Sequence, residues 1–132
     1  MIIVCDASAA LEIALNRNDA NKYKEILKDS DIVLVPDIYP SEISNALWKY
    51  VTIAGQKIEE CEKALEYCLG LVDDIIETRS ICREAFSEAI KQKHPVYDIF
   101  YLVIARRNNA LLVSKDKKLL KIAKAMGVET FQ

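Results

Sequence analysis

The chain has 132 residues, of which 52% are hydrophobic and 29% charged, with a formal net charge of −2. That length buries about two-thirds of the unfolded surface in a single domain, so neither disulfides nor a structural metal is needed to hold a core. The near-neutral balance excludes a general electrostatic pull toward nucleic acid and leaves only a local basic patch for such contacts.

In chain order, Ile2 to Cys5 is a short apolar run ending in Asp6-Ala-Ser8, the pattern of a buried parallel strand passing through a turn into a helix. A helix over Ala9–Leu15 follows, then a break at Asn16–Asp19 and a more charged helix to about Lys28. Ile32 to Val35 is the second strand, closed by Pro36, with Asp37 as expected cap of the next helix and Pro40 in its first turn. Ile43, Ala46, Leu47, Tyr50, Val51 and Ala54 form an amphipathic stripe on that helix. Glu42 lies about 40° around the helical wheel from Ala46, at the margin of the stripe, with Asn45 three residues on.

Gly55 ends this helix, and Ile58 to about Leu71 makes another. Val72–Ile76 reads as a short strand whose paired Asp73 and Asp74 place it at a sheet edge. Arg79–Gln92 is an amphipathic helix with Cys82, Ala85, Phe86, Ala89 and Ile90 as its expected inner face. Ile99 to Ala105 are apolar all round, which marks a helix buried on every side. Ala110–Val113 is the next strand, followed by a basic helix from about Asp116 to Met126, Gly127 as its stop, and a last strand at Val128–Phe131. Strands alternate with helices throughout, which predicts an α/β domain around a mostly parallel sheet of four to five strands, one domain over residues 1–132.

Cys5, Cys61, Cys68 and Cys82 form no C-x-x-C pair, and His94 is the only histidine, so no zinc–thiolate site is expected. Cys61, Leu65, Cys68 and Val72 recur at helical spacing, so the thiols read as small core residues in a reduced compartment. Met1-Ile-Ile-Val has no basic flank and no apolar run approaches membrane-spanning length, so the expectation is a soluble, cytoplasmic protein.

Chemistry concentrates on four acids. In a parallel sheet, functional groups gather outside the carboxyl ends of the strands, where the order of strands reverses. Asp6 and the Ser114-Lys115-Asp116 turn both follow strands, while Glu42 and Asp98 sit in the first turns of helices that start on that same side. Each acid pair brought into contact repels by up to about 4 kcal/mol at an effective dielectric near 20, so the cluster requires protons or a cation. Oxygen-only ligands favour Mg²⁺ or Mn²⁺. Such a cation activates water for attack on phosphorus and stabilises the leaving oxygen, and the chain has neither a G-x-S-x-G turn nor an evident histidine base to do this otherwise.

The same residues carry a family resemblance. The start Val-Cys-Asp6-Ala-Ser8, Glu42 with Asn45 and Leu47 in Ser-Glu-Ile-Ser-Asn-Ala-Leu, Tyr97-Asp98 before the buried helix, and Leu-Leu-Val-Ser114-Lys-Asp116-Lys-Lys-Leu together resemble the PIN-domain nucleases. More narrowly, the chain is similar to the VapC-type toxins of toxin–antitoxin pairs, from Ile2 to about Thr130. The resemblance implies a three-layer α/β/α fold with sheet order 3-2-1-4-5, a homodimer, and RNA cleavage with Mg²⁺ or Mn²⁺ held by the acids matching Asp6, Glu42, Asp98 and Asp116. It gives Ser8 and Asn45 supporting roles; Ser114 stands where many members have threonine, and the hydroxyl is retained. It also implies an antitoxin protein in a groove between the N-terminal helices. The motifs leave open whether such a protein is a toxin or a stand-alone RNA-processing nuclease.

Plainer readings exist for single residues. Asp98 and Asp116 suit helix starts electrostatically, and Asp37, Asp73 and Asp74 read as cap and edge charges. Lys115, Lys117 and Lys121, with Lys118, Lys124, Arg106 and Arg107 nearby, are the best candidates for RNA phosphate contact, although a solvated helix face has the same pattern. Tyr39 and Trp48 suit core or dimer packing better than base stacking. An inactive PIN-like binding module would have lost acids that are all retained here. A phosphoacceptor receiver domain leaves Glu42 and Asp98 unexplained.

Overall fold

The computed structural model describes residues 1–132. Five strands, β1 (Ile2–Cys5), β2 (Ile32–Pro36), β3 (Asp74–Ile76), β4 (Leu111–Val113) and β5 (Thr130–Phe131), are interleaved with seven helices. These are α1 (Ala7–Ala14), α2 (Ala20–Lys28), α3 (Tyr39–Thr52), α4 (Ile58–Gly70), α5 (Cys82–Gln92), α6 (Val96–Arg107) and α7 (Lys117–Ala125). All strand pairs are parallel and the sheet order is β3-β2-β1-β4-β5, in a three-layer α/β/α arrangement. The apolar runs of β1 and β2 are buried, as central strands covered on both faces must be. No helix is long and apolar enough to cross a membrane.

Two features of this arrangement place the site. Ile3, Val4 and Cys5 pair with Leu111, Leu112 and Val113, so β1 and β4 end side by side, and the Asp6 N–H continues the ladder to the Val113 carbonyl at 3.1 Å. Strand order reverses between these two strands, the point at which open α/β sheets leave a crevice. The second feature is α6, which packs against β1, β2 and β4 with every residue from Ile99 to Ala105 buried. That helix cannot tilt without disturbing the sheet.

Several expectations need correction. Helix α1 begins at Ala7, not Ala9, because Asp6 is its N-cap and accepts the Ala9 N–H at 3.0 Å. Asp37 caps nothing: α3 starts one residue too late, after Ile38, and Asp37 instead accepts the Thr78 N–H at 3.2 Å. The helix expected from Arg79 is a 3₁₀ turn at Thr78–Ser80 followed by α5. Phe86 and Ile90 point outward, 64% and 61% exposed, because α5 turns its small residues Ala85 and Ala89 inward and packs against α6. Trp48 is exposed as well, whereas Tyr39 is buried with its hydroxyl donating to the Cys68 carbonyl at 2.8 Å. Asp73 and Asp74 do lie at the β3 edge, where Asp73 accepts the Val33 N–H at 2.7 Å. All four cysteines are free; burial pushes the Cys5 thiol well up and the Cys68 thiol up to about 11, which leaves both unreactive.

Candidate active site

Asp6 stands where β1 meets α1. Its Oδ1 accepts from the Ser8 hydroxyl at 2.7 Å and the Ala9 N–H, and its Oδ2 from the Ser114 hydroxyl at 2.5 Å. Ser114 follows Val113, the partner of Cys5, so strand register alone carries its hydroxyl to Asp6. The two serines also knit the β4 turn: Ser8 Oγ accepts the Lys115 N–H at 3.0 Å and Ser114 Oγ accepts the Asp116 N–H at 2.9 Å. Asp116 in turn caps α7, its Oδ1 accepting the N–H groups of Lys118 and Leu119 at 3.0 and 3.2 Å.

Glu42 reaches the site from the first turn of α3, where its Oε1 accepts the Tyr101 hydroxyl at 2.7 Å. Asp98 comes from the first turn of α6, its Oδ2 lying 2.8 Å from His94 Nε2. Ligand atoms of His94, Asp98 and Asp116 all lie within 4.8 Å of one another.

Electrostatics tie Asp6, Glu42 and Asp98 into one group. Burial, and after it the neighbouring Asp98 charge, pushes the Asp6 carboxyl up to about 6 against the hydrogen bonds from Ser114, Ser8 and Ala9 that pull it down. Burial, with Asp98 and Asp6 adding to it, also raises Glu42, while the Tyr101 hydroxyl opposes the rise. The Tyr101 phenol is itself held well above its ordinary value by burial and by Glu42. Asp6, Glu42 and Asp98 thus act on one another through their charges, while Asp116 adjoins Asp98 and reaches Asp6 through the Ser114 hydroxyl; Asp6 and Glu42 stand outside the close set of His94, Asp98 and Asp116. Asn45 instead lines the wall of a neighbouring cleft.

That cleft, about 580 Å³, opens beside Ser8 and Glu42 between α1 and α3 and is rimmed by Arg17, Lys49 and Lys115. Arg17 lies over the Tyr50 ring at 4.6 Å. Lys115, expected to face RNA, is committed to the buried Glu12 at 2.9 Å and to Asp19 at 3.6 Å. Burial raises the Glu12 carboxyl, but the Asp19 N–H and the Lys115 ammonium outweigh it and hold Glu12 below the usual range. Arg106 and Arg107 are likewise taken by Glu84 and Glu88 on α5, whereas Lys117, Lys118, Lys121 and Lys124 of α7 are all exposed and in no ion pair.

Sequence reasoning missed three of these residues. As a lone histidine His94 gives no metal-site signal in the sequence, yet its spacing of four residues before Asp98 places it beside that acid. Tyr101 falls in an apolar run that reads as core, although a phenol inside such a helix requires a hydrogen-bond acceptor, here Glu42. Glu12 interrupts the apolar run of α1, and a buried acid there requires a cation.

The PIN domain family matches residues 3–125. A curated relative, Ribonuclease VapC3 of Pyrobaculum aerophilum, is 22% identical over 121 residues, covering 90% of this chain and 92% of the relative. The crystal structure of PAE2754, also from Pyrobaculum aerophilum, superposes with a TM-score of 0.73 at 22% identity, covering 98% of this chain and 92% of that one.

Proposed function

Because the chain belongs to the PIN-domain family, we propose that it is a divalent-cation-dependent endoribonuclease and the toxin of a toxin–antitoxin pair. The observation that carries this reading is the mutual influence of Asp6, Glu42 and Asp98 near the switch point of the sheet, with Asp116 beside Asp98 and Asp6 pushed up to about 6 with no ammonium beside it. Lys115, which follows Ser114 in the same turn, is already paired with Glu12. Asp6 and Glu42, whose carboxyls are raised chiefly by burial and further by neighbouring acids, are groups whose ionised form a hard cation stabilises, and carboxylate oxygens suit Mg²⁺ or Mn²⁺.

Asp6, Glu42, Asp98 and Asp116 are the residues that would hold the ion. When bound, it supplies acidification of water and neutralisation of charge at the scissile phosphate. The chain's own groups do the positioning. Ser8, Ser114 and the Ala9 N–H fix Asp6, Tyr101 fixes one oxygen of Glu42, and the first N–H groups of α7 fix one oxygen of Asp116. Lys117 and Lys121, exposed on α7, with Arg17 and Lys49 at the cleft, would contact RNA phosphates. The relative's name includes both ribonuclease and VapC, which supports the RNA substrate and an antitoxin partner. The antitoxin would occupy the cleft between α1 and α3, and the exposed Phe86, Ile90 and Tyr97 would meet a second copy in a homodimer.

The test is RNA cleavage by the purified protein with Mg²⁺ or Mn²⁺ against chelator, beside Asp6→Asn and Asp98→Asn. Cleavage only by the wild type with cation is expected; equal cleavage in every sample would remove the site assignment. Controlled expression should arrest growth and a small neighbouring gene should relieve it. Unimpeded growth would remove the toxin role and leave the nuclease untouched.

A further inference from the structure

We propose that His94 is a positioning residue of this centre: its Nε2–H holds Asp98 Oδ2 in place and does not itself ligate the cation. The inference rests on the nuclease reading but on separate observations. Lys93 adopts the left-handed conformation with φ 51°, its N–H returning to Ile90 and the His94 N–H to Ala89, the paired bonds of a Schellman closure on α5. Pro95 follows and denies His94 the helical region. His94 is thus pinned between two helix ends, 8% exposed, one turn before Asp98.

The ring's two nitrogens have different surroundings. Nε2 lies 2.8 Å from Asp98 Oδ2, whereas Nδ1 is buried with no hydrogen-bond partner. A hydrogen on Nδ1 would be a buried donor without an acceptor and would leave the Nε2 lone pair facing the Asp98 carboxylate. Placed on Nε2, the hydrogen reaches the Asp98 carboxylate, and Nδ1 is left with an unpaired lone pair. This tautomer has no lone pair on Nε2 for an ion. Histidines that do ligate metals almost always donate their other ring N–H to an acceptor, and none is present here. Although His94 lies within 4.8 Å of the Asp98 and Asp116 oxygens, it acts through Asp98, and the centre keeps an all-oxygen ligand set.

The test uses the full chain and calorimetric binding of Mg²⁺ and Mn²⁺ to wild type, His94→Gln, His94→Asn and Asp98→Asn. A glutamine amide reaches the position of Nε2 and an asparagine amide only that of Nδ1. His94→Asn should weaken both cations by about 10- to 100-fold, the usual effect of losing a hydrogen bond to a ligand. His94→Gln should stay within a few-fold of wild type, with the Mg²⁺ to Mn²⁺ ratio unchanged. Nitrogen-15 spectra of the wild-type imidazole, which do not depend on any variant folding, should show the Nε2–H tautomer. An Nδ1–H tautomer, wild-type affinity in a folded His94→Asn, or a selective loss of Mn²⁺ in His94→Gln would each overturn the proposal. Cation binding that Asp98→Asn leaves intact would overturn the nuclease reading beneath it.

Discussion

Asp6→Asn should make the cation-free protein more stable at neutral pH while abolishing its response to cations. The carboxyl is 6% exposed and is raised from 3.8 to about 6, chiefly by burial. At ~1.36 kcal/mol per tenfold step, ionised Asp6 disfavours the native state by about 3 kcal/mol. Between pH ~4 and ~6 the native protein keeps a proton that the unfolded chain has released. Native stability therefore falls as pH rises through that window, and the deficit is complete above it. Asparagine removes this charge and remains a good N-cap, its carbonyl still able to accept from Ser8 and Ala9. It loses the acceptor for the Ser114 hydroxyl, a loss of about 1 kcal/mol. The net gain expected at pH 7.5 in chelator is about 2 kcal/mol, shrinking to nothing or reversing by about pH 4.5. Urea unfolding at the two pH values measures it, and Mg²⁺ or Mn²⁺ should then raise the wild-type midpoint but not that of the variant. A variant no more stable than wild type at pH 7.5, or a difference that does not change with pH, would refute the reasoning.

Tyr101→Phe removes the donor that holds Glu42, so the Glu42 carboxyl should rise further and the acid limb of the activity profile should move to higher pH; carboxyl carbon-13 titration reads the first effect directly. Leu102→Ala, in the fully buried stretch of α6, should cost about 2–5 kcal/mol in denaturant unfolding. Lys93→Gly relieves a left-handed backbone that glycine adopts freely, and should raise stability by up to about 1 kcal/mol without changing cation binding. Lys117→Glu with Lys121→Glu should weaken RNA binding evenly across sequences and flatten its salt dependence, as anisotropy titrations at several ionic strengths would show.

The sheet was legible because its signals are local and repeated. Apolar runs at β1 and β2, a helix apolar on every side at α6, and alternation of strands with helices admit few other architectures. The four acids were legible for a related reason: each sits at a strand end or in a first helical turn, positions that sequence pattern locates within a residue or two. What stayed hidden depends on rotation and on partners distant in sequence. Periodicity put Phe86 and Ile90 on the inner face of α5 because they are large and apolar, but close approach to α6 selects Ala85 and Ala89. Lys115 read as a free cation because its partners, Glu12 and Asp19, are about a hundred residues earlier. His94 was discounted for being alone among metal-ligating types, a compositional argument that says nothing about a carboxylate one turn away.

These hidden contacts change what the acids are fitted for. Asp116 Oδ1 is held by backbone N–H groups, Glu42 Oε1 by a phenol and Asp98 Oδ2 by an imidazole. In each case the second oxygen has no protein partner and is not among the buried unpaired atoms. Asp6 alone is bonded through both oxygens. None of these donors is an ammonium or a guanidinium, so the fold orients four carboxylates without cancelling their charge. A structural ion-pair network would do the reverse, as Lys115 does for Glu12 on the far side of the same turn, and Arg106 and Arg107 do on α5. The contrast between Glu12, Glu84 and Glu88, each neutralised by a cation, and the oriented but uncompensated Asp6 and Glu42 near the switch point is what favours a cation there over a structural ion-pair network.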